Sequence, residues 1–324
     1  MFDKKPCFGR PKEPLREAPG TGAFGEGVVF SLLCACTSGL NPVFAKLGYG
    51  AGLAGIEILH SRFIFAALLL AAAGSFLQKG FWHFSRRLLA KTLFMAGAIL
   101  VPLNLCYVFA LEDIPASMMG LISYAYPLVV LLVNGLLLRH GFHRRQVLSV
   151  AFILLGCAFI FSDAFSLSLP RSALALAFLA TVMFSAIFIA LQQLASNESA
   201  LQVAFLNVAL TAGILCVNHR PDFLFGLTGT QFAITGGYGL LCTFLSTVFM
   251  ARAVQILGAT EAGIFTSLEL VFTIVFAMLL LGEQIPAFRW CGMAMLLTGL
   301  LIPNAGVLRT SFRRNFSSSA SIRR

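Results

Sequence analysis

The sequence is poor in charge, and poorest in acids. Of its 324 residues only 11% are charged, 13 are Asp or Glu, and two are Trp. A water-soluble domain carries about 25% charged residues, so this chain has too little polar surface to face water on all sides. Signatures of chemistry are missing as well. There is no Walker A loop, no HExxH pair and no Gly-x-Ser-x-Gly elbow, which leaves ATP-driven pumping and the commoner hydrolase chemistries without support. The eight cysteines are scattered without metal-ligand spacing and read as small apolar packing residues. No cofactor or metal is implied. Gly20, Gly22 and Gly25 match the dinucleotide pattern but follow a polar tail rather than a strand, and the sequons at Asn197 and Asn315 fall on the side expected to face the cytoplasm.

What is abundant is apolar. Hydrophobic residues make up 58% of the chain and mean hydropathy is +0.88. The charges cluster in short stretches between apolar runs, which predicts ten spans at 27–47, 57–77, 92–111, 114–138, 147–162, 173–194, 200–217, 231–251, 261–281 and 287–307. Most approach the ~20 residues that cross a bilayer as a helix. Residues 1–26 are polar, with five basic residues and no apolar core of signal-peptide length, so a cytoplasmic tail without cleavage is expected. Residues 308–324 read as a basic cytoplasmic tail that sits against anionic lipid headgroups.

Residues 115–156 and 258–299 share a layout at a constant offset of 143. Ala116 falls on Ala259, Gly120 on Gly263, Leu136 to Leu138 on Leu279 to Leu281, and Gly156 on Gly299. Internal duplication in an apolar chain is a recurring mark of secondary transporters. With both termini in the cytoplasm, 18 of the 23 Lys and Arg lie on that side, as the positive-inside rule requires. The net charge of +10 therefore calls for no nucleic acid. Five spans is an odd number, so a second copy must lie upside down. The charge bias agrees: the loops holding Lys79, Arg86, Arg87, Lys91, Arg139, Arg144 and Arg145 have counterparts holding only Arg220 and Arg289. The expected fold is thus an all-α integral membrane protein with ten transmembrane helices, arranged as inverted five-helix repeats at 27–162 and 171–307 joined by a linker at 163–170.

Polar groups at membrane depth are costly and each needs a partner or a water-filled cavity. Glu269, near the middle of the ninth span, either binds a proton or a cationic substrate group or bonds a neighbouring helix. Glu57 shares a face with His60 and Ser61 at the outer start of the second span, where headgroup solvation explains it equally well. Arg62 faces elsewhere on that helix and is deep enough to need a carboxylate or several carbonyls. Lys46 can snorkel to the interface. Asn41-Pro42 and Tyr126-Pro127 each remove a backbone donor, so Pro42 and Pro127 either bend a helix passively or build a hinge and site. Tyr107, Tyr124, Tyr126, Tyr238 and Phe249 are candidates for an aromatic lining.

These features together resemble the EamA type of the drug/metabolite transporter superfamily. The resemblance is carried by Gly39, Asn41, Pro42 and Lys46, then Arg62-Phe63, Tyr107, Pro115 and Tyr126-Pro127 in the first copy. In the second it is carried by Ala259-Thr260, Ser267, Glu269 and the closing Leu281-Gly282-Glu283. The chain departs from the family at Cys36-Thr37-Ser38, where tryptophan is usual, and at Leu270, where proline is usual. The resemblance implies a central cavity, alternating access and export of small metabolites such as amino acids, with protons as a possible coupling ion. It favours a cavity-mouth role for Lys46. A lipid-linked substrate flippase is the narrower rival within transport, and a membrane enzyme, scaffold or receptor the rival outside it.

Overall fold

The computed structural model of the chain describes residues 21–126, 169–194, 199–218, 221–257 and 259–302, with isolated residues between 129 and 159. Among the described residues there are helices and short connections but no strand. The helices are α1 (Thr21–Gly39), α2 (Asn41–Gly50), α3 (Gly55–Leu77), α4 (Arg86–Met95), α5 (Val101–Asp113), α6 (Ala116–Ser123), α7 (Arg171–Leu194), α8 (Ala200–Asn218), α9 (Gly229–Gly237), α10 (Ser246–Leu257), α11 (Ala259–Thr266), α12 (Glu269–Leu281) and α13 (Ala287–Leu301). Two wide π-helical turns, Ala96–Leu100 and Tyr238–Leu245, join α4 to α5 and α9 to α10.

Among the described residues six stretches are long and apolar enough to cross a bilayer: Phe24–Gly50, Gly55–Leu77, Arg86–Asp113, Leu201–Asn218, Gly229–Leu257 and Ala262–Leu281. They answer to the first, second, third, seventh, eighth and ninth of the expected spans, and α7 and α13 overlap the sixth and tenth. About half of the fourth and fifth, with Pro127, Arg139, His140, His143, Arg144 and Arg145, lies outside the described residues, as do residues 1–20 and the C-terminal tail, whereas residues 21–26, expected in the N-terminal tail, open α1. The third helix begins at Arg86, six residues before the apolar run, because the Ser85 hydroxyl accepts from the N–H of Leu88 at 3.1 Å and caps it. A cap outweighs the charges of Arg86 and Arg87 in fixing that start.

Bonds between segments distant in sequence sort the connections into two ends. At one end Lys46 reaches the carbonyl of Glu112, Gln231 donates to the carbonyl of Ala51, and Glu283 accepts from Ala116. At the other end Ser199 donates to Gln78, Gln202 donates to the carbonyl of Phe81, and Gly27 lies against Leu257. We call these the Glu283 end and the Thr21 end. The main apolar core lies toward the Glu283 end, where Leu53, Ile58, Ile114, Met118, Ala173, Tyr238 and Ile274 pack together.

Packing does not keep the two sequence halves apart. The opening helix α1 lies against α10 and α12, whereas α7 lies against α5 and α6. The first helix of each half is thus seated among helices of the other. Small residues make the close crossings. A β-carbon at Gly39 would stand 2.8 Å from Cβ of Phe272 and 3.1 Å from the carbonyl of Glu269. The Ser149 hydroxyl donates to the carbonyl of Gly299, whose own β-position meets Ile153; Gly156 meets Leu296 and the carbonyl of Gly292. Gly39→Ala should therefore force α1 from α12 and destabilise the protein by about 1–3 kcal/mol. Thermal melts of the purified protein check this, with Gly213→Ala, whose β-position meets no described atom, expected to leave the melt unchanged or raise it.

Candidate functional site

Three helices are interrupted at one depth. In the first, α1 stops at Gly39 and α2 restarts at Asn41, with Pro42 lacking the N–H that would continue the ladder. In the fourth, α6 ends at Ser123 and a tight turn follows at Tyr124 and Ala125. In the ninth, α11 ends at Thr266, Ser267 and Leu268 form a turn, and α12 starts at Glu269. The last two breaks coincide under the 143-residue offset, which sets Tyr126 opposite Glu269 in the repeat. No proline stands in the ninth span. The Ser267 hydroxyl instead donates to the carbonyl of Gly263 at 3.0 Å, and the N–H of Leu268 turns to Phe265, three residues back.

A cavity of about 550 Å³ lies where the breaks meet. Its walls come from both halves of the sequence: Cys34, Ser38, Asn41 and Pro42 on the first span, Arg62 on the second, Asn104 and Tyr107 on the third, Tyr124 and Tyr126 after α6, Phe184 on α7, Ser246 and Met250 on α10, and Thr266, Ser267, Glu269 and Thr273 around the last break. Glu269 and Arg62 are the charged residues among the described lining. The Glu269 carboxylate sits in the first turn of α12, where the helix dipole favours negative charge, and the Tyr124 hydroxyl donates to it. The carboxamide oxygen of Asn41 is buried on the same wall and accepts no hydrogen bond from the described residues.

Arg62 is held without a carboxylate among the described residues. Its Nε donates to the Thr243 hydroxyl at 2.8 Å and one terminal nitrogen donates to the Tyr238 hydroxyl at 3.0 Å. The guanidinium also lies 4.6 Å from the centre of the Tyr238 ring and 5.2 Å from that of Phe63. Both hydroxyls belong to the π-helical turn between α9 and α10, so one wide turn supplies both hydrogen-bond acceptors. The anticipated carboxylate or carbonyl partners are replaced by hydroxyls and ring faces.

The structure therefore brings together Glu269, Arg62, Asn41, Pro42, Tyr107 and Tyr126, and sets two other candidates apart. Glu57 lies outside the cavity lining: its carboxylate accepts from the N–H of Ala54 at 2.8 Å and closes the first turn of α3. Ser61 donates to the Glu57 carbonyl, and fully buried His60 lies 6.0 Å, ring to ring, from Phe223. Lys46 donates to the carbonyl of Glu112 at 3.3 Å at the Glu283 end, also away from the lining. Sequence reasoning passed over Ser38, Asn104, Ser246, Thr266 and Thr273, whose one signal was a polar side chain recurring at helical spacing along a span. If the cradle stabilises Arg62 as drawn, a double-mutant cycle of Arg62→Ala with Tyr238→Phe should show a coupling of about 1–2 kcal/mol in unfolding measurements.

No curated protein matches the chain. Among solved structures 28 chains match. One, described only as a crystal structure of a protein, is 12% identical with a TM-score of 0.62 and covers 88% of this chain and 99% of its own, a likeness of fold alone. The model of the EamA-like transporter family matches residues 25–162 and again 171–304. With both stretches matched, the chain belongs to the EamA-like transporter family of the drug/metabolite transporter superfamily, and it is a multi-pass membrane transporter.

Proposed function

We propose that the protein is a secondary or facilitative carrier that exports small metabolites, amino acids or similar, by alternating access. It would act in a bacterial inner membrane with ten helices, inverted repeats at 27–162 and 171–307, and both termini in the cytoplasm. The observation that carries this reading is the cavity at the junction of three interrupted helices, with one carboxylate and one guanidinium among its described walls. Its volume of about 550 Å³ falls within the 300–1,000 Å³ typical of small-molecule sites. That size favours a free metabolite over a lipid-linked sugar, whose flippase would need a lateral opening.

The exchange of α1 and α7 bears on the moving parts. Two sequence halves rocking as rigid blocks would have to pull each opening helix out of its neighbours. Bodies built as α1, α2, α10, α11 and α12 against α4, α5, α6 and α7 keep those contacts intact and part along the cavity. Asn41 and Glu269 then stand on one wall, Tyr107, Tyr124 and Tyr126 on the other, and a substrate bridges them.

Proton coupling, if it operates, centres on Glu269. An inward potential of 100 mV supplies about 2.3 kcal/mol per charge moved, which drives roughly a 50-fold gradient. Glu269→Gln should abolish the dependence of counterflow on a pH gradient in proteoliposomes while the protein remains monodisperse. Counterflow with an unchanged pH dependence would remove Glu269 from that role.

A further inference from the structure

The Glu283 end of the cavity is shut in two layers. Val43 in α2, Ala116 at the start of α6 and Ala277 in α12 are fully buried and pack as one cluster, with Leu47, Phe276 and Leu281 against it. Beyond that plug, Gly282 adopts a left-handed conformation with φ of 66°, which ends α12 and lets the next residue double back. The Glu283 carboxylate then accepts from the N–H of Ala116 at 2.7 Å, the N–H of Ser117 at 3.1 Å and the Ser117 hydroxyl. Those N–H groups belong to the first turn of α6, which has no side-chain cap of its own because Pro115 precedes it. Charge-assisted bonds and the helix dipole both favour a carboxylate there. Buried Arg289 donates to the same Ser117 hydroxyl at 3.4 Å.

This capping contact runs between the two repeats and lies across the line on which the cavity would part. The repeats do not share it in sequence: the residue 143 positions before Glu283 is His140, which lacks a two-oxygen acceptor. The cavity walls are unequal in the same sense. Its lining runs along Ala251, Val254 and Gly263 toward the Thr21 end, while at Gly120 the wall is packed so closely that a β-carbon would stand 2.8 Å from Thr273.

We propose that Glu283 is a latch: by capping α6 from the opposite repeat it holds the cavity closed at its own end, and the bonds must break for substrate to pass there. The latch rests on the carrier reading above, since it matters only if the cavity opens alternately. Its test uses the full chain with its eight cysteines replaced, carrying one new cysteine either in the plug, Ala277→Cys, or near the open mouth, Val254→Cys. Labelling by a bulky maleimide is followed in detergent with and without Glu283→Gln, and counterflow of a radiolabelled amino-acid mixture is measured on the same proteins in vesicles. Loss of the carboxylate should speed labelling at the plug by about ten-fold or more and slow it near the mouth. Ser117→Ala, which removes one of the three bonds, should give a smaller shift of the same sign. Faster labelling at both positions would mean a loosened fold and would overturn the latch, as would rates unchanged by either substitution while counterflow persists. Absent counterflow in the parent chain, with the opposed labelling shifts still present, would instead overturn the carrier reading.

Discussion

In a bilayer every backbone N–H and C=O must find its partner within the protein, because hydrocarbon offers none. Regular helices meet that demand on their own, and interrupted ones meet it only where they border a cavity or one another. The first, fourth and ninth spans are all interrupted, and they are interrupted together. Gly39, at the end of α1, is pressed against the carbonyl of Glu269, so one break shelters part of another. The cavity is the room left between them. Its polar character follows from the same constraint, since Asn41, Tyr126 and Glu269 are the residues with which the chain resumes after each break.

The repeat governs where the fourth and ninth breaks fall. α6 and α11 are each eight residues long and are related by 143 positions, with a two-residue turn after both. The π-helical turns Ala96–Leu100 and Tyr238–Leu245 overlap under the same shift. Against that common frame the differences carry the chemistry. The later π-turn holds Tyr238 and Thr243 and cradles Arg62, and a tyrosine in the first copy faces a glutamate in the second.

Much of this was legible in the sequence where one residue type forces one local outcome. Proline lacks an N–H, so Asn41-Pro42 announced the first break, and a charge in a long apolar run announced Glu269 and Arg62. The ninth break was harder to read, because Ser267 and Gly263 make it by a side-chain bond that also occurs in unbroken helices. The partners of Arg62 were out of reach: Tyr238 and Thr243 lie 176 and 181 residues away, and nothing local names them. Glu57 carried a misleading signal, since a carboxylate in a helix's first turn satisfies backbone groups as readily as it serves a site. The seating of α1 and α7 among helices of the other half also left no trace, because apolar faces in lipid do not say which neighbour they prefer.

The crossing between residues 149–156 and α13 has one more property. Gly156 meets residues 292 and 296, and Gly299 meets residues 149 and 153. Each set is the other displaced by 143, so residue i touches j while the equivalent of i touches the equivalent of j. That reciprocity defines an isologous interface, the kind formed by two identical subunits across a two-fold axis. Nothing in this contact depends on the two halves being one polypeptide.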